Sequence, residues 1–227
     1  SLLLRSKSLQ WSNNVESIID TASYLYLDNI SFTGTAITDT IPNADFENWT
    51  NLEYDDPTDW SSIDQYLAAE GKSSSIKSTD AYDGNYALML ETVYMSSWED
   101  TIGTIFSGDI SMMGPPTGFA YTGTPQKLTG YYKFISSSPN DSASMFCQLT
   151  KANMGTTGGG EHYLAATNTY TYFECPLFSF SVGDSALIVF EAGMTIGNQL
   201  YIDSLDFSND PIMVGTSAQN EKEHFDL

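Results

Sequence analysis

The chain reads as an all-β protein, an antiparallel β-sandwich of two packed sheets, and three observations predict it. Strand-like segments follow one another from Gly84 to Phe207 at the regular spacing of a sandwich. No segment of about a dozen residues repeats its apolar positions at helical period. Charged residues make up 16% of the chain, below the usual quarter or so, whereas Ser, Thr, Asn, Gly and aromatic residues are plentiful.

Its 227 residues suffice for one large β domain with a substantial core, with or without appendages. The formal charge of -21 repels a phosphate backbone and an anionic bilayer surface, so nucleic acid is excluded as a partner. No apolar run approaches the roughly 18 to 20 residues that span a membrane, and membrane insertion is not expected. Ser1 to Leu4 is too short for a signal h-region, and a start without Met reads as a processed or excised piece.

From Ser1 to about Asp20 the pattern assigns no element. Tyr24 to Phe32 and Gln199 to Phe207 then share the pattern L-Y-[LI]-D-x-[IL]-x-F, which reads either as a tandem module or as convergence of two amphipathic strands. Thr33 to Thr40 is a polar linker. Glu53 to Asp59 gathers four carboxylates around Pro57 and is expected to be a solvated loop. Asp64 to Glu70 fits one or two helical turns, broken by Ser73 to Ser75. Strands are predicted over Gly84–Tyr94, Thr101–Ile110, Leu128–Ile135 and Ala143–Thr150. A loop at Gly158–Gly160 then precedes strands at Tyr163–Ala166, Tyr170–Cys175, Ala186–Ala192 and Leu200–Phe207.

The most legible passage is Phe119 to Phe134, FAYTGTPQKLTGYYKF. A Pro/Gly turn at Gly123 to Pro125 and the break at Gly130 lead into an aromatic run suited to a pleated, half-buried surface. A central strand is expected there, with a mobile, aromatic-bearing loop in front of it. Cys147 and Cys175 fall in separate strands and admit either one disulfide or two small buried hydrophobes.

That passage resembles the F-x-G-x-P-x-x-L-x-G-Y-Y-K-[YF] signature of the PCMD family, β-sandwich modules of secreted Bacteroidetes proteins. Ile41 to Trp49, IPNADFENW, resembles the opening strand of galactose-binding-like jelly rolls, and Leu200 to Phe207 resembles their closing strand. The resemblance implies a jelly roll over residues 39–209. Residues 1–38 would carry the end of a preceding module. Residues 210–227 resemble the linker to a type A sorting domain of the type IX secretion system. Asp39-Thr40-Ile41, Asp100-Thr101-Ile102, Asp141-Ser142-Ala143 and Asp184-Ser185-Ala186 resemble the O-glycosylation acceptor of exported Bacteroidetes proteins. In the jelly rolls it resembles, calcium is often held by the opening glutamate, the loop before the G-x-Y-[AS]-L strand and the closing aspartate. Those positions here are Glu47, the loop Ser78 to Asn85 with Asp80 and Asp83, and Asp203; the chain departs in lacking an Asp-Asp pair after Ile202.

Catalytic signatures are missing: the nucleophile elbow, the zincin helix, the P-loop and the dinucleotide glycine fingerprint. His162 reads as an ordinary loop or surface histidine. A glycosidase-like carboxylate pair depends on spatial separation that sequence spacing does not give. Sugars are instead held on flat aromatic faces helped by a few fixed polar groups. Trp98, Trp60, Phe119, Tyr121 and Tyr94 are the candidate ligand-binding aromatics, whereas Phe46, Trp49, Phe134 and one of Tyr131 or Tyr132 are assigned to the core. The expected function is a noncatalytic, secreted or cell-surface module binding a glycan or another surface ligand. A structural or adhesive spacer is second and a glycan-active hydrolase third. The expected state is a monomer or one tandem module of a longer chain.

Overall fold

The structure, a computed structural model, describes residues 26, 29, 31, 42–48, 53–109, 117–152 and 154–210. Contacts divide the chain into two compact units, Ser1–Asn51 and Leu52–Leu227, so the boundary expected at 39 falls inside the first. The first copy of the repeat lies outside the described residues apart from Tyr26, Asn29 and Ser31. Trp49 and the tail beyond Asp210 also lie outside them.

In the first unit the expected opening strand is replaced by a turn over Pro42 to Asp45. The Asn43 side chain accepts from the Asn48 amide at 3.0 Å and donates to the Asn48 carbonyl at 2.8 Å. Asn43 and Phe46 both take positive φ, 47° and 53°. A local side-chain bond thus competes successfully with a strand ladder.

The second unit contains, in chain order, β1 (Trp60–Ser62), α1 (Asp64–Leu67), a 3-10 turn (Ala68–Glu70), β2 (Ser75–Ser78), β3 (Ala87–Glu91), β4 (Val93–Met95), β5 (Asp100–Ile102), β6 (Thr104–Ser107) and β7 (Phe119–Gly123). Then come β8 (Lys127–Ile135), β9 (Ala143–Lys151), β10 (Gly155–Leu164), β11 (Thr167–Pro176), β12 (Phe178–Ser179), β13 (Gly183–Glu191) and β14 (Gln199–Ser208). One sheet runs β1-β6-β13-β9-β10-β12 with β7 also on β13; the other runs β11-β8-β14-β3-β2. β4 and β5 form a separate hairpin. All pairings are antiparallel, and the chain passes directly between the two large sheets at β1–β2, β7–β8, β8–β9, β10–β11, β11–β12 and β13–β14, as a jelly roll does.

Both sheets turn alternate residues into one shared core. From the seven-stranded sheet come Ile105, Met145, Leu149, Ile188 and Phe190; from the other come Leu90, Leu128, Tyr132, Phe134 and Leu200. In β8 the inward set is Leu128, Gly130, Tyr132 and Phe134, so Tyr132 rather than Tyr131 is the core tyrosine. Cys147 and Cys175 are free and buried in that same core. Burial pushes the Cys147 thiol up to about 12 and the Cys175 thiol up to about 11, so both behave as small hydrophobes.

Five strand expectations change. Gly84–Tyr94 splits at Thr92, whose amide donates to the Asn198 carbonyl and whose hydroxyl donates to the Ala192 carbonyl, drawing the chain out of its sheet. Thr101–Ile110 splits at Gly103, where a Cβ would lie 2.9 Å from the Glu91 carbonyl oxygen. The segment before β8 is itself a strand, β7, paired with β13. Gly158, Gly159 and Gly160 belong to β10 rather than to a loop, and a Cβ on Gly160 would lie 2.2 Å from the Pro176 carbonyl oxygen. β2 arises where Ser73 to Ser75 reads only as a break, after Ser73 and Ser74 bond to Asp64.

Asp141 ties the loop after β8 to the loop before β14. Its Oδ2 accepts from the Met194 and Thr195 amides and from Asn198 Nδ2, at 3.0, 2.7 and 2.7 Å. Burial pushes its carboxyl up, hydrogen bonds from Thr195, Asn198 and Met194 pull it down, and the net lies below the ordinary 3.8. A depressed folded pKa adds stability that is complete above the unfolded value and is lost as pH falls through the folded one. Melting temperature should therefore drop on going from pH 5 to pH 2 more steeply in the native chain than in Asp141→Asn. Parallel acid profiles for the two proteins would remove Asp141 from the acid response.

Candidate functional site

The outward face of the five-stranded sheet carries tyrosines where solvated polar residues usually stand. β8 turns Lys127, Thr129, Tyr131 and Lys133 outward, the alternate set to its core residues. Register places Tyr131 between Tyr172 of β11 and Asp203 of β14, and Lys133 beside Tyr201. Tyr170 of β11 completes the group on the sheet, and the loop between β2 and β3 lays Tyr82 over it.

The aromatic contacts are close. Tyr82 stacks on Tyr131 with centroids 3.5 Å apart and planes 11° from parallel, and Tyr172 is tilted against Tyr131 at 5.4 Å. Lys133 Nζ stands 3.8 Å from the Tyr201 ring centroid and 5.3 Å from that of Tyr170. Although it lies on an outer face, Lys133 is only 6% exposed, and its ammonium is paired with Asp80. Lys127, 4% exposed, pairs with Glu174 at 2.5 Å, and Tyr172 donates to the same carboxylate at 3.0 Å. Burial, then Asp80 and Asp203, push the Tyr170 phenol well above its ordinary value. It stays a proton donor, and its hydroxyl donates to the Asp80 carbonyl at 2.6 Å.

This face therefore sets tyrosine rings and phenols beside carboxylates held in fixed directions, over two buried, paired ammonium groups. That combination suits a ligand with alternating C–H and hydroxyl surfaces.

The predicted site residues divide among three places. Trp98 and Tyr94 are on the β4–β5 hairpin, both substantially exposed, with Trp98 at 5.5 Å from the Tyr66 ring. Glu70 fixes the hairpin tip by accepting from the Ser96 and Ser97 amides at 2.9 and 2.8 Å, and Lys72 donates to the same carboxylate. Trp60 and Phe119 line a cleft of about 830 Å³, where Asp59, Phe190 and Phe207 also lie. Both also pack on the core, as does Tyr121, 4.5 Å from the Phe207 ring.

Two of the expected calcium ligands, Asp203 and Asp80, already have partners within the protein. Asp203 Oδ2 accepts from the Tyr82 and Asp83 amides at 2.8 and 3.1 Å, and Asp80 pairs with Lys133. The loop thus turns N–H groups, not carbonyl oxygens, towards Asp203, which does not fit a hard cation. Glu47 is exposed in the first unit. Among the described residues no three His, Cys, Asp or Glu gather as metal ligands.

His162 faces inward from β10, half-buried and stacked on Phe173 at 6.2 Å, rather than lying in a loop. Burial lowers its pKa.

Tyr131, Tyr172, Tyr170, Tyr201 and Tyr82 were missed as site residues. The signal was present for two strands: alternation with Leu128 and Phe134 turns Tyr131 outward, and alternation with Phe173 does the same for Tyr172.

No protein-family model matches the chain, and no curated protein matches it. Among solved structures it is similar to a family 16 carbohydrate-binding module, at 13% identity and TM-score 0.37, over 59% of this chain and 84% of that one. It is similar to TmCBM61, solved with β-1,4-galactotriose, at 10% identity and TM-score 0.35, over 58% and 77%. A third is the CBM22-1 xylan-binding domain from Paenibacillus barcinonensis Xyn10C, at 14% identity and TM-score 0.33, over 58% and 77%. Likenesses at these scores are too loose to carry a function across.

Proposed function

We propose that this β-sandwich is a noncatalytic glycan-binding module that holds an uncharged glycan across the outer face of its five-stranded sheet. The observation that carries the proposal is the assembly of Tyr131, Tyr170, Tyr172 and Tyr201 with fixed charged groups on that face, with the Tyr82 ring lying over Tyr131. Lys127 and Lys133 each already have a carboxylate partner, and the chain's formal charge is -21. An acidic polysaccharide therefore meets net repulsion, and a neutral one does not. The low charged fraction and the sorting-linker resemblance of residues 210–227 support a secreted or cell-surface location.

Affinity electrophoresis against xylan, galactan, galactomannan and xyloglucan, with polygalacturonate and alginate as acidic comparators, tests the reading. At least one neutral polymer should retard the protein, with little dependence on salt, and the acidic polymers should not. Tyr131→Ala should weaken retention about tenfold, through loss of one ring platform. Binding confined to the acidic polymers, or unchanged in Tyr131→Ala, would refute the site.

A further inference from the structure

We infer that Tyr82 is an internal occupant of the glycan platform, which a bound sugar must displace from Tyr131; this rests on the glycan-binding reading above. The near-parallel stack at 3.5 Å puts the Tyr82 ring where a pyranose would lie flat on Tyr131. Its loop also makes the polar contacts that a sugar would make. Two amide N–H groups donate to Asp203, while Asp80 accepts from Lys133 through its carboxylate and from Tyr170 through its carbonyl. Sugar hydroxyls both donate and accept, so they can replace these contacts in kind.

The loop is built to leave without disturbing the core. From Thr79 to Tyr86 every residue is exposed except the half-buried Ala81, and Tyr82 itself is 46% exposed. Its hold on the sheet is polar apart from the one ring. Segments with few buried apolar contacts open at low free energy while the core stays folded. Beneath it lie Lys133 and Tyr201, 6% and 9% exposed on an outer sheet face. Those groups are suited to being covered, by the loop in the free protein and by a glycan in the complex.

Removing the ring should leave Tyr131 open and raise affinity, because less of the free protein is held in the occupied state. Isothermal titration with the neutral polysaccharide that retards the native protein most strongly is run on the native chain, Tyr82→Ala and Tyr131→Ala. Tyr82→Ala is expected to bind about three- to tenfold tighter, and Tyr131→Ala to bind more weakly. Since Tyr82 is exposed, a thermal melt should find its variant folded. Weaker binding by Tyr82→Ala alongside weaker binding by Tyr131→Ala would make Tyr82 part of the platform, overturning the occupant while sparing the glycan reading. No binding by any of the three would overturn both. Hydrogen exchange adds a readout free of ligand: the Tyr82 and Asp83 amides should exchange far faster than those of β8. Equal protection would overturn the occupant whatever the glycan result.

Discussion

Asp64→Ala should destabilise the domain by about 3 to 5 kcal/mol, because it leaves several buried donors without an acceptor at once. Asp64 is fully buried at the start of α1. Its carboxylate accepts from the Ser74 amide at 2.7 Å, the Ser75 amide at 3.0 Å and the Ser74 hydroxyl at 2.9 Å, and also from the Ser73 hydroxyl. One side chain thus fixes the path from α1 into β2. A stranded buried donor costs about 1 to 3 kcal/mol, and relaxation or entering water recovers part of the total. For a domain of this size each kcal/mol lowers the melting temperature by about 2 to 4 °C, so a fall of roughly 10 °C is expected. Urea unfolding should show a lower midpoint at an unchanged slope. A loss under about 1 kcal/mol would mean that hydrophobic packing around Leu67, not this network, holds the junction.

Gly160→Ala should cost about 3 kcal/mol or more, a large penalty for one methyl group. Its Cβ would meet the Pro176 carbonyl oxygen at 2.2 Å and Leu177 Cδ2 at 3.0 Å. Leu177 can shift, but Pro176 is backbone at the end of β11 and its register with Lys127 would have to give. The neighbouring Gly158 meets the same crossing, with the Phe178 carbonyl oxygen at 2.4 Å from its Cβ position. Gly155→Ala is the control, since nothing lies within 4 Å of its Cβ position. Its positive φ of 78° limits the expected cost to about 1 kcal/mol. Circular dichroism melts of the two variants should separate close approach from turn conformation; equal losses would refute the crossing as the cause.

The all-β class was legible because strand periodicity is local, and β8, β9, β11, β13 and β14 formed where the pattern put them. Where pairing depends on distant partners, legibility failed. β7 reads as a loop until β13 lies beside it, and the glycines of β10 read as a loop until the β11–β12 connection is seen crossing them. The candidate site was partly legible for the same reason. Alternation gives the outward direction of Tyr131 and Tyr172. The stack of Tyr82 on Tyr131 and the burial of Lys133, by contrast, follow from a loop closing across strands far apart in the chain. Trp98, read as a loop aromatic between two strands in a polar setting, lies on the β4–β5 hairpin, and the clamp that Glu70 supplies there is not visible in the local sequence.

The strict alternation of β8 bears on how such a module can diverge. Lys127, Thr129, Tyr131 and Lys133 face outward at every second position, with Leu128, Tyr132 and Phe134 between them serving the core. Inserting or deleting one residue would exchange the two sets along the rest of the strand, turning lysine into the apolar core away from its carboxylate partner and phenylalanine outward. Substitution of outward residues one at a time therefore leaves the core set in place, but the strand's length is frozen.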